Sequence, residues 1–113
     1  ISVETNCEKL RFESTIEIIY YRVLRELLTN TIKHAQATKI NINLHYINSM
    51  LIFTYKDNGI GFNVAKKMEK SSSGMGLYNI INRISSLEAN YTIDSSPGKG
   101  FIFTLKTNIT QKL

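Results

Sequence analysis

Three polar side chains recur on one side of a helical segment in the first third of the chain. Glu26, Asn30 and Lys33 are spaced by four and three residues, so in an α-helix they share a stripe with the apolar Ile19 and Val23. A stripe that begins apolar and ends charged is typical of a helix that leaves the core and lines a pocket. The alternative is a helix whose last two turns simply rotate toward solvent.

A carboxylate followed by glycines is the second feature that could carry chemistry. Asp57 directly follows the apolar segment 50–56, and Gly59 and Gly61 come two and four residues later. The glycines allow the backbone to turn sharply and approach a planar ligand, while the carboxylate could accept a hydrogen bond from an exocyclic amine. Taken alone, this D-x-G-x-G pattern also fits an ordinary turn, because Asp, Asn and Gly are common turn residues.

Two more glycine-bearing segments follow. Gly74-Met75-Gly76, with Leu77 next, precedes an amphipathic segment, and the free N–H groups at a helix start suit phosphate oxygens. The spacing differs from that of a Walker P-loop, which excludes that class of nucleotide site. Residues 97–100, Pro-Gly-Lys-Gly, are typical of a hairpin turn.

Hydrophobic periodicity predicts the elements that must position these residues. A period of three to four predicts helices over 14–34 and 77–87, the first opened by a Ser14-x-x-Glu17 capping box. A period of two predicts strands over 38–46, 50–56, 91–95 and 101–106, with 1–3 as a short edge strand. Tight turns between consecutive strands predict an α/β two-layer sandwich, with a mixed, largely antiparallel sheet and the helices on one face.

Bulk composition narrows the class of protein. The 113 residues suffice for one domain with a hydrophobic core, and 42% of them are hydrophobic. The net charge of +5 comes from scattered Lys and Arg, so binding of nucleic acid is not predicted. The single cysteine, Cys7, excludes an intrachain disulfide in this sequence and fits a reducing compartment. Because the sequence opens at Ile1 rather than Met, we expect it to be a fragment.

In this order, the four motifs resemble the GHKL ATPase superfamily of gyrase-type topoisomerases, heat-shock chaperones, mismatch-repair proteins and histidine kinases. The resemblance is to the N box and the three glycine boxes of histidine kinases, at residues 26–35, 57–62, 74–77 and 98–100. The short segment 63–73 and the phrase at 28–35 resemble the nitrate-sensor-like subfamily. The resemblance implies a Bergerat-type fold, with residues 1–113 as the single catalytic ATP-binding domain of a larger histidine kinase.

The resemblance also implies roles for individual residues. Glu26 would act in catalysis by polarising the phosphate acceptor, and Asn30 would bind Mg²⁺. The remaining binding residues would be Lys33 and His34 at the phosphates, Asp57 at the adenine amine, Gly59 and Gly61 beside the base, and Gly74, Met75, Gly76 and Leu77 at the phosphate-side helix entry. Phe101 stands where relatives usually carry Thr, which puts a water-linked contact to adenine in doubt.

The implied cofactors are ATP and Mg²⁺, and the implied partner is a separate dimerisation and histidine-phosphotransfer domain, with a response regulator downstream. The parent protein is expected to be dimeric with this domain in the cytoplasm, while anchoring in the cell membrane is left open. Neither of the two histidines, His34 and His45, is predicted to be the phosphoacceptor, and segment 63–73 is predicted to be a mobile lid. The alternatives are an anti-sigma-factor-type serine kinase and a non-catalytic nucleotide-binding interaction module.

Overall fold

A computed structural model describes residues 1–61 and 76–109, with His34, Ala35, Gly76 and Leu77 described by their backbone alone. The elements in these ranges are β1 (Ser2–Thr5), α1 (Ser14–Asn30), a π-helical segment (Thr31–Ala35), β2 (Ile40–Ile47), β3 (Met50–Asp57), α2 (Gly76–Ile84), β4 (Ala89–Ser95) and β5 (Phe101–Asn108). The predicted lid lies outside the described residues. None of the described helices is both long and apolar enough to cross a membrane.

The five strands form one sheet in the order β1-β2-β3-β5-β4. β1 runs parallel to β2, and every other neighbouring pair is antiparallel. β3 and β5 pair along their full length, from Met50 opposite Asn108 to Asp57 opposite Phe101. The prediction of a mixed, largely antiparallel sheet is therefore confirmed, with the last of the described strands inserted between two earlier ones.

One face of the sheet carries both helices. Alternate residues of the central strands, Phe53 and Tyr55 in β3 and Phe103 in β5, are buried together with residues of α1 and α2. The helical members of this cluster are Ile19, Val23, Leu27, Ile80 and Ile84. Burying a side chain of this size contributes about 1.5–3 kcal/mol to stability. The apolar residues of the strands, at a period of two, and those of the helices, at a period of three to four, are buried against each other, and this burial stabilises the two-layer arrangement.

The start of α1 differs from the predicted capping box. The helix begins at Ser14, its N-cap residue is Glu13, and no side chain caps it within the described residues. The Glu17 carboxylate instead accepts hydrogen bonds of 2.9 Å from the Phe12 N–H and from the Arg11 guanidinium. The bonds from Arg11 and then Phe12 lower the pKa of Glu17 to about 2. Glu17 thus reaches back past Ser14, because the charged Arg11 guanidinium and the Phe12 N–H take the place at its carboxylate that the Ser14 backbone N–H has in a capping box.

The end of α1 also departs from a regular helix. Helical structure continues to Ala35, close to the predicted end, but residues Thr31–Ala35 adopt π-helical rather than α-helical bonding. Gln36 then takes a left-handed conformation with φ of 53° and terminates the helix. Short π-helical segments are frequent at functional sites, since they change which way successive side chains point.

The turn between β2 and β3 agrees with the predicted hairpin, and a pair of hydroxyl groups lies at the same end of the sheet. Asn48 and Ser49 connect β2 to β3 with positive φ angles of 52° and 66°, which suits a tight hairpin turn. At the same end of the sheet, the Tyr20 hydroxyl lies 2.5 Å from the Thr107 hydroxyl. Burial raises the pKa of Tyr20 to about 12, although the bond with Thr107 opposes that shift.

Candidate functional site

The polar stripe of α1 leaves the core gradually. Ile19 and Val23 are buried, Glu26 and Asn30 are half-buried, and Lys33 is exposed. This gradient matches the sequence pattern: Glu26 and Asn30 are partly covered, and Lys33 on the last turn faces solvent. Their roles at a nucleotide stay predictions.

Asp57 is a buried acidic residue at the carboxyl-terminal end of β3. It is the last residue of β3, lies on the helix-covered face and is only 4% exposed. Its Oδ1 accepts a 2.9 Å hydrogen bond from the Gly59 N–H, and its Oδ2 accepts one of 2.9 Å from the Thr31 hydroxyl. Each carboxylate oxygen has two lone pairs, so both can accept a further donor from a ligand.

Two hydroxyl groups behind Asp57 were missed by the sequence reasoning. Thr31 and Tyr55 are 5% and 0% exposed, and their hydroxyl oxygens lie 2.6 Å apart. Burial raises the pKa of Tyr55, the bond with Thr31 lowers it, and the Asp57 carboxylate raises it. The available signals were positional: Thr31 continues the four-residue spacing of the buried residues of α1, and Tyr55 shares its strand face with Asp57.

Asn58 ties the D-x-G-x-G loop to the segment that follows the π-helix. Its Oδ1 accepts hydrogen bonds of 2.8 Å and 2.9 Å from the N–H groups of Thr38 and Lys39. Its Nδ2 donates to the Thr38 hydroxyl at 2.8 Å, and its backbone N–H donates to the Lys39 carbonyl at 3.3 Å. Asn58, which lies between Asp57 and Gly59, is therefore a structural clamp that fixes the loop to residues 38 and 39.

Glycines of the first and third boxes pack against each other. Gly61 has φ of +68°, and a Cβ there would overlap the Ser96 carbonyl oxygen and lie 2.8 Å from that of Gly100. Gly100 has φ of +74°, and a Cβ there would lie 2.7 Å from the Asp57 carbonyl oxygen. The Gly98 N–H also donates to the Ile60 carbonyl. The 57–61 loop thus rests on the 95–100 turn.

Phe101 belongs to the core and not to the surface of the site. It is buried, and its ring packs edge-on against that of Tyr55 with centroids 6.2 Å apart. The residue that departs from the family pattern therefore supports the strand end that carries Asp57.

The remaining predicted residues are distributed as follows. Gly59 lies in the loop after Asp57, His34 in the π-helical segment, and Gly76 and Leu77 at the start of α2. Gly74 and Met75 lie outside the described residues. His45 lies on the sheet face opposite the helices, half-buried, with its Nε2 4.0 Å from the Glu4 carboxylate. Within the described ranges, no three His, Cys, Asp or Glu side chains are grouped as metal ligands.

Comparison with known proteins agrees with this geometry. The profile of the family described as histidine kinase-, DNA gyrase B-, and HSP90-like ATPase matches residues 15–111. The sensor histidine kinase ComP of Bacillus subtilis is 42% identical over 81 residues, which are 72% of this chain and 10% of ComP. The oxygen sensor histidine kinase NreB of Staphylococcus carnosus is 31% identical over 110 residues, which are 97% of this chain and 31% of NreB. The chain therefore spans a third or less of these two relatives.

A solved structure shows the same fold. The histidine kinase domain of the blue-light activated histidine kinase from Erythrobacter litoralis superposes with a TM-score of 0.73 and 17% identity. The match covers 96% of this chain and 51% of that one. The predicted Bergerat-type sandwich is thereby confirmed as the fold of histidine kinase catalytic domains.

Proposed function

Because the chain belongs to the family of histidine kinase-, DNA gyrase B-, and HSP90-like ATPases, we propose that it binds Mg-ATP and donates the γ-phosphoryl group to a histidine on a separate domain. The observation that carries the proposal is the Asp57 carboxylate, buried at a strand end and oriented by donors on both oxygens. A buried carboxylate with remaining acceptor capacity suits an amine in a planar ligand.

Asp57 accounts for adenine rather than guanine as the base. Adenine presents an exocyclic amine that can donate to the carboxylate, whereas guanine presents a carbonyl oxygen at the equivalent position. Two acceptors facing each other repel, so GTP loses a charge-assisted hydrogen bond and leaves a buried charge without its ligand partner. Gly59 leaves the backbone beside Asp57 free of a side chain, which allows a flat ring to approach. Gly61 instead lets the loop pack against the Ser96 carbonyl.

The end of α1 supplies the groups for the triphosphate. The Asn30 amide oxygen is a suitable ligand for Mg²⁺, a hard cation that prefers oxygen and keeps several waters. Lys33, exposed on the next turn, offers a positive charge for phosphate oxygens. A bound magnesium ion would neutralise charge that develops on the transferred phosphoryl group. In this proposal Glu26, one turn before Asn30, polarises the acceptor.

We place the acceptor outside this domain. In the transfer, the bond between the γ-phosphorus and its bridging oxygen breaks and a phosphorus–nitrogen bond forms on the acceptor histidine. His45 lies on the far face of the sheet, and His34 belongs to the helix that would line the phosphates. In-line attack requires near-contact geometry that His45 cannot reach. We therefore assign the acceptor to a dimerisation and phosphotransfer domain of a dimeric, cytoplasmically oriented parent kinase that signals through a response regulator.

Nucleotide binding tests the adenine assignment. Titration calorimetry with Mg-ATP and Mg-GTP would compare the wild type, Asp57→Asn and the matched control Asp94→Asn, which changes an exposed carboxylate of β4. We expect the wild type to prefer ATP and Asp57→Asn to lose about 1.5–3 kcal/mol of ATP binding, the value of a hydrogen bond to a charged group. Equal affinities for both nucleotides in the wild type, or an unchanged Asp57→Asn variant, would refute the assignment.

Phosphoryl transfer tests the acceptor assignment. The domain is incubated with γ-labelled ATP and magnesium, alone and with a separately expressed dimerisation domain. Acid-labile, base-stable label is expected on the added domain only. Label on the isolated domain that disappears with His45→Ala would contradict the proposal. Label on serine would indicate a serine kinase, and ATP binding without any transfer would indicate a non-catalytic module.

A further inference from the structure

The three side chains of Tyr55, Thr31 and Asp57 permit only one order of hydrogen bonds. An ionised carboxylate has no proton to donate, so the Thr31 hydroxyl must give its single proton to Asp57. The Thr31 oxygen can then only accept, and the Tyr55 hydroxyl at 2.6 Å is the donor that faces it. The other acceptor near the Tyr55 hydroxyl, the Leu27 carbonyl, is farther away at 3.3 Å.

This chain of hydroxyl groups is shielded from solvent. All three residues are at most 5% exposed, so bulk water cannot readily replace a missing partner. Thr31 comes from the helical layer and the Gly59 N–H comes from the loop, and each holds one oxygen of the carboxylate. Rotation of the carboxylate about its Cβ–Cγ bond would break both bonds at once. The group is therefore fixed before any ligand arrives.

We propose that Thr31, supported by Tyr55, is a positioning residue that sets the nucleobase preference of the site by fixing the Asp57 carboxylate. The proposal rests on the proposed function, in which Asp57 accepts the adenine amine. A fixed acceptor favours a ligand whose donor meets it in one direction, because no reorientation is needed on binding. Without the Thr31 hydroxyl, Oδ2 would lose its buried donor and the carboxylate would be free to turn about its Cβ–Cγ bond, which weakens recognition of an amine.

The test compares two nucleotides that differ only in the amine: ATP and purine riboside triphosphate, which lacks it. Their affinities are measured for the wild type, Thr31→Val, Thr31→Ala and Thr31→Ser, with Thr15→Val as a matched control on the exposed start of the same helix. Valine keeps the β-branched shape of threonine and removes only the hydroxyl, alanine cannot crowd the site, and serine restores the hydroxyl. A thermal melt of each variant reports whether it folds.

We expect the wild type and Thr15→Val to prefer ATP by about tenfold, equivalent to about 1.4 kcal/mol. Thr31→Val and Thr31→Ala should reduce this ratio to below about threefold by weakening ATP alone, and Thr31→Ser should restore it. An unchanged ratio in a folded Thr31→Val or Thr31→Ala variant, or equal weakening of both nucleotides, would overturn the positioning role and leave the adenine assignment intact. A wild-type ratio near one would instead overturn the adenine assignment, and this inference with it.

Discussion

Replacing Gly61 by alanine tests the packing of the 57–61 loop on the 95–100 turn. A Cβ at Gly61 would overlap the Ser96 carbonyl oxygen and crowd that of Gly100, which lies 2.8 Å from its position. Gly98 is the matched control, because its φ of +79° is also left-handed while a Cβ there would meet nothing within 4 Å. The pair therefore separates the backbone cost of an L-residue from the cost of overlap.

The two contributions differ in size. Both variants bear the cost of a left-handed alanine, about 1–2 kcal/mol. The reduced entropy of the unfolded chain offsets part of it, by about 0.4–1 kcal/mol. Gly61→Ala must in addition displace two backbone carbonyls, and overpacking of this kind typically costs about 1–3 kcal/mol. We expect a net loss of about 1 kcal/mol for Gly98→Ala and about 2–4 kcal/mol for Gly61→Ala.

Urea unfolding measures this difference directly. With a slope of about 1–3 kcal/mol per molar urea, a difference of about 2 kcal/mol separates the two midpoints by roughly 1 M. ATP affinity should follow the same order, since the displaced loop carries the backbone donor that holds Asp57 through Gly59. Equal midpoints for the two variants would refute the packing argument, because then only the shared φ requirement would matter.

Four further substitutions probe other parts of the structure. Asn58→Ala removes three side-chain hydrogen bonds and should cost about 1–2 kcal/mol with faster amide exchange at 38 and 39; unchanged exchange would argue against the clamp. Glu26→Gln should keep ATP affinity while slowing transfer to an added acceptor domain by about 100-fold, and Asn30→Ala should abolish the magnesium dependence of ATP binding. The half-buried neutral phenol of Tyr20, with its pKa raised to about 12 from 10.0, stabilises the fold below pH 10 and loses that effect as pH rises to 12. Tyr20→Phe should therefore flatten the pH dependence of the urea midpoint in that window, and an equally steep dependence would exclude Tyr20 as its source.

Periodicity alone predicted most of the fold. The strands β2, β3 and β5 begin or end within two residues of their predicted bounds, because alternation of apolar and polar residues directly reflects a half-buried strand. The hairpin at Asn48 and Ser49 followed from turn chemistry. The capping box was wrong because a local pattern at Ser14 and Glu17 could not reveal the competing Arg11.

The part of the candidate site that the sequence did not predict depends on tertiary contacts. Thr31 and Tyr55 are 24 residues apart, and each on its own is an unremarkable residue of a helix or a strand. Only the stacking of α1 on β3 brings their hydroxyls to Asp57. The π-helical turn could not be predicted from the sequence either. Apolar spacing indicates which residues are buried, but it does not indicate the carbonyl to which each N–H donates.

The central position of β5 has a consequence for how the domain forms during synthesis. β3 emerges from the ribosome with β2, yet its other edge pairs with β5, which is synthesised after all the other described strands. Until β5 pairs with it, this edge of β3 is unpaired and the apolar Phe53 and Tyr55 beside it are not yet covered. Such surfaces promote aggregation, which chaperones counteract. The 57–61 loop also lacks its packing surface at that stage. A nucleotide stabilises only the state that binds it, so ATP cannot assist folding until the whole sheet has closed.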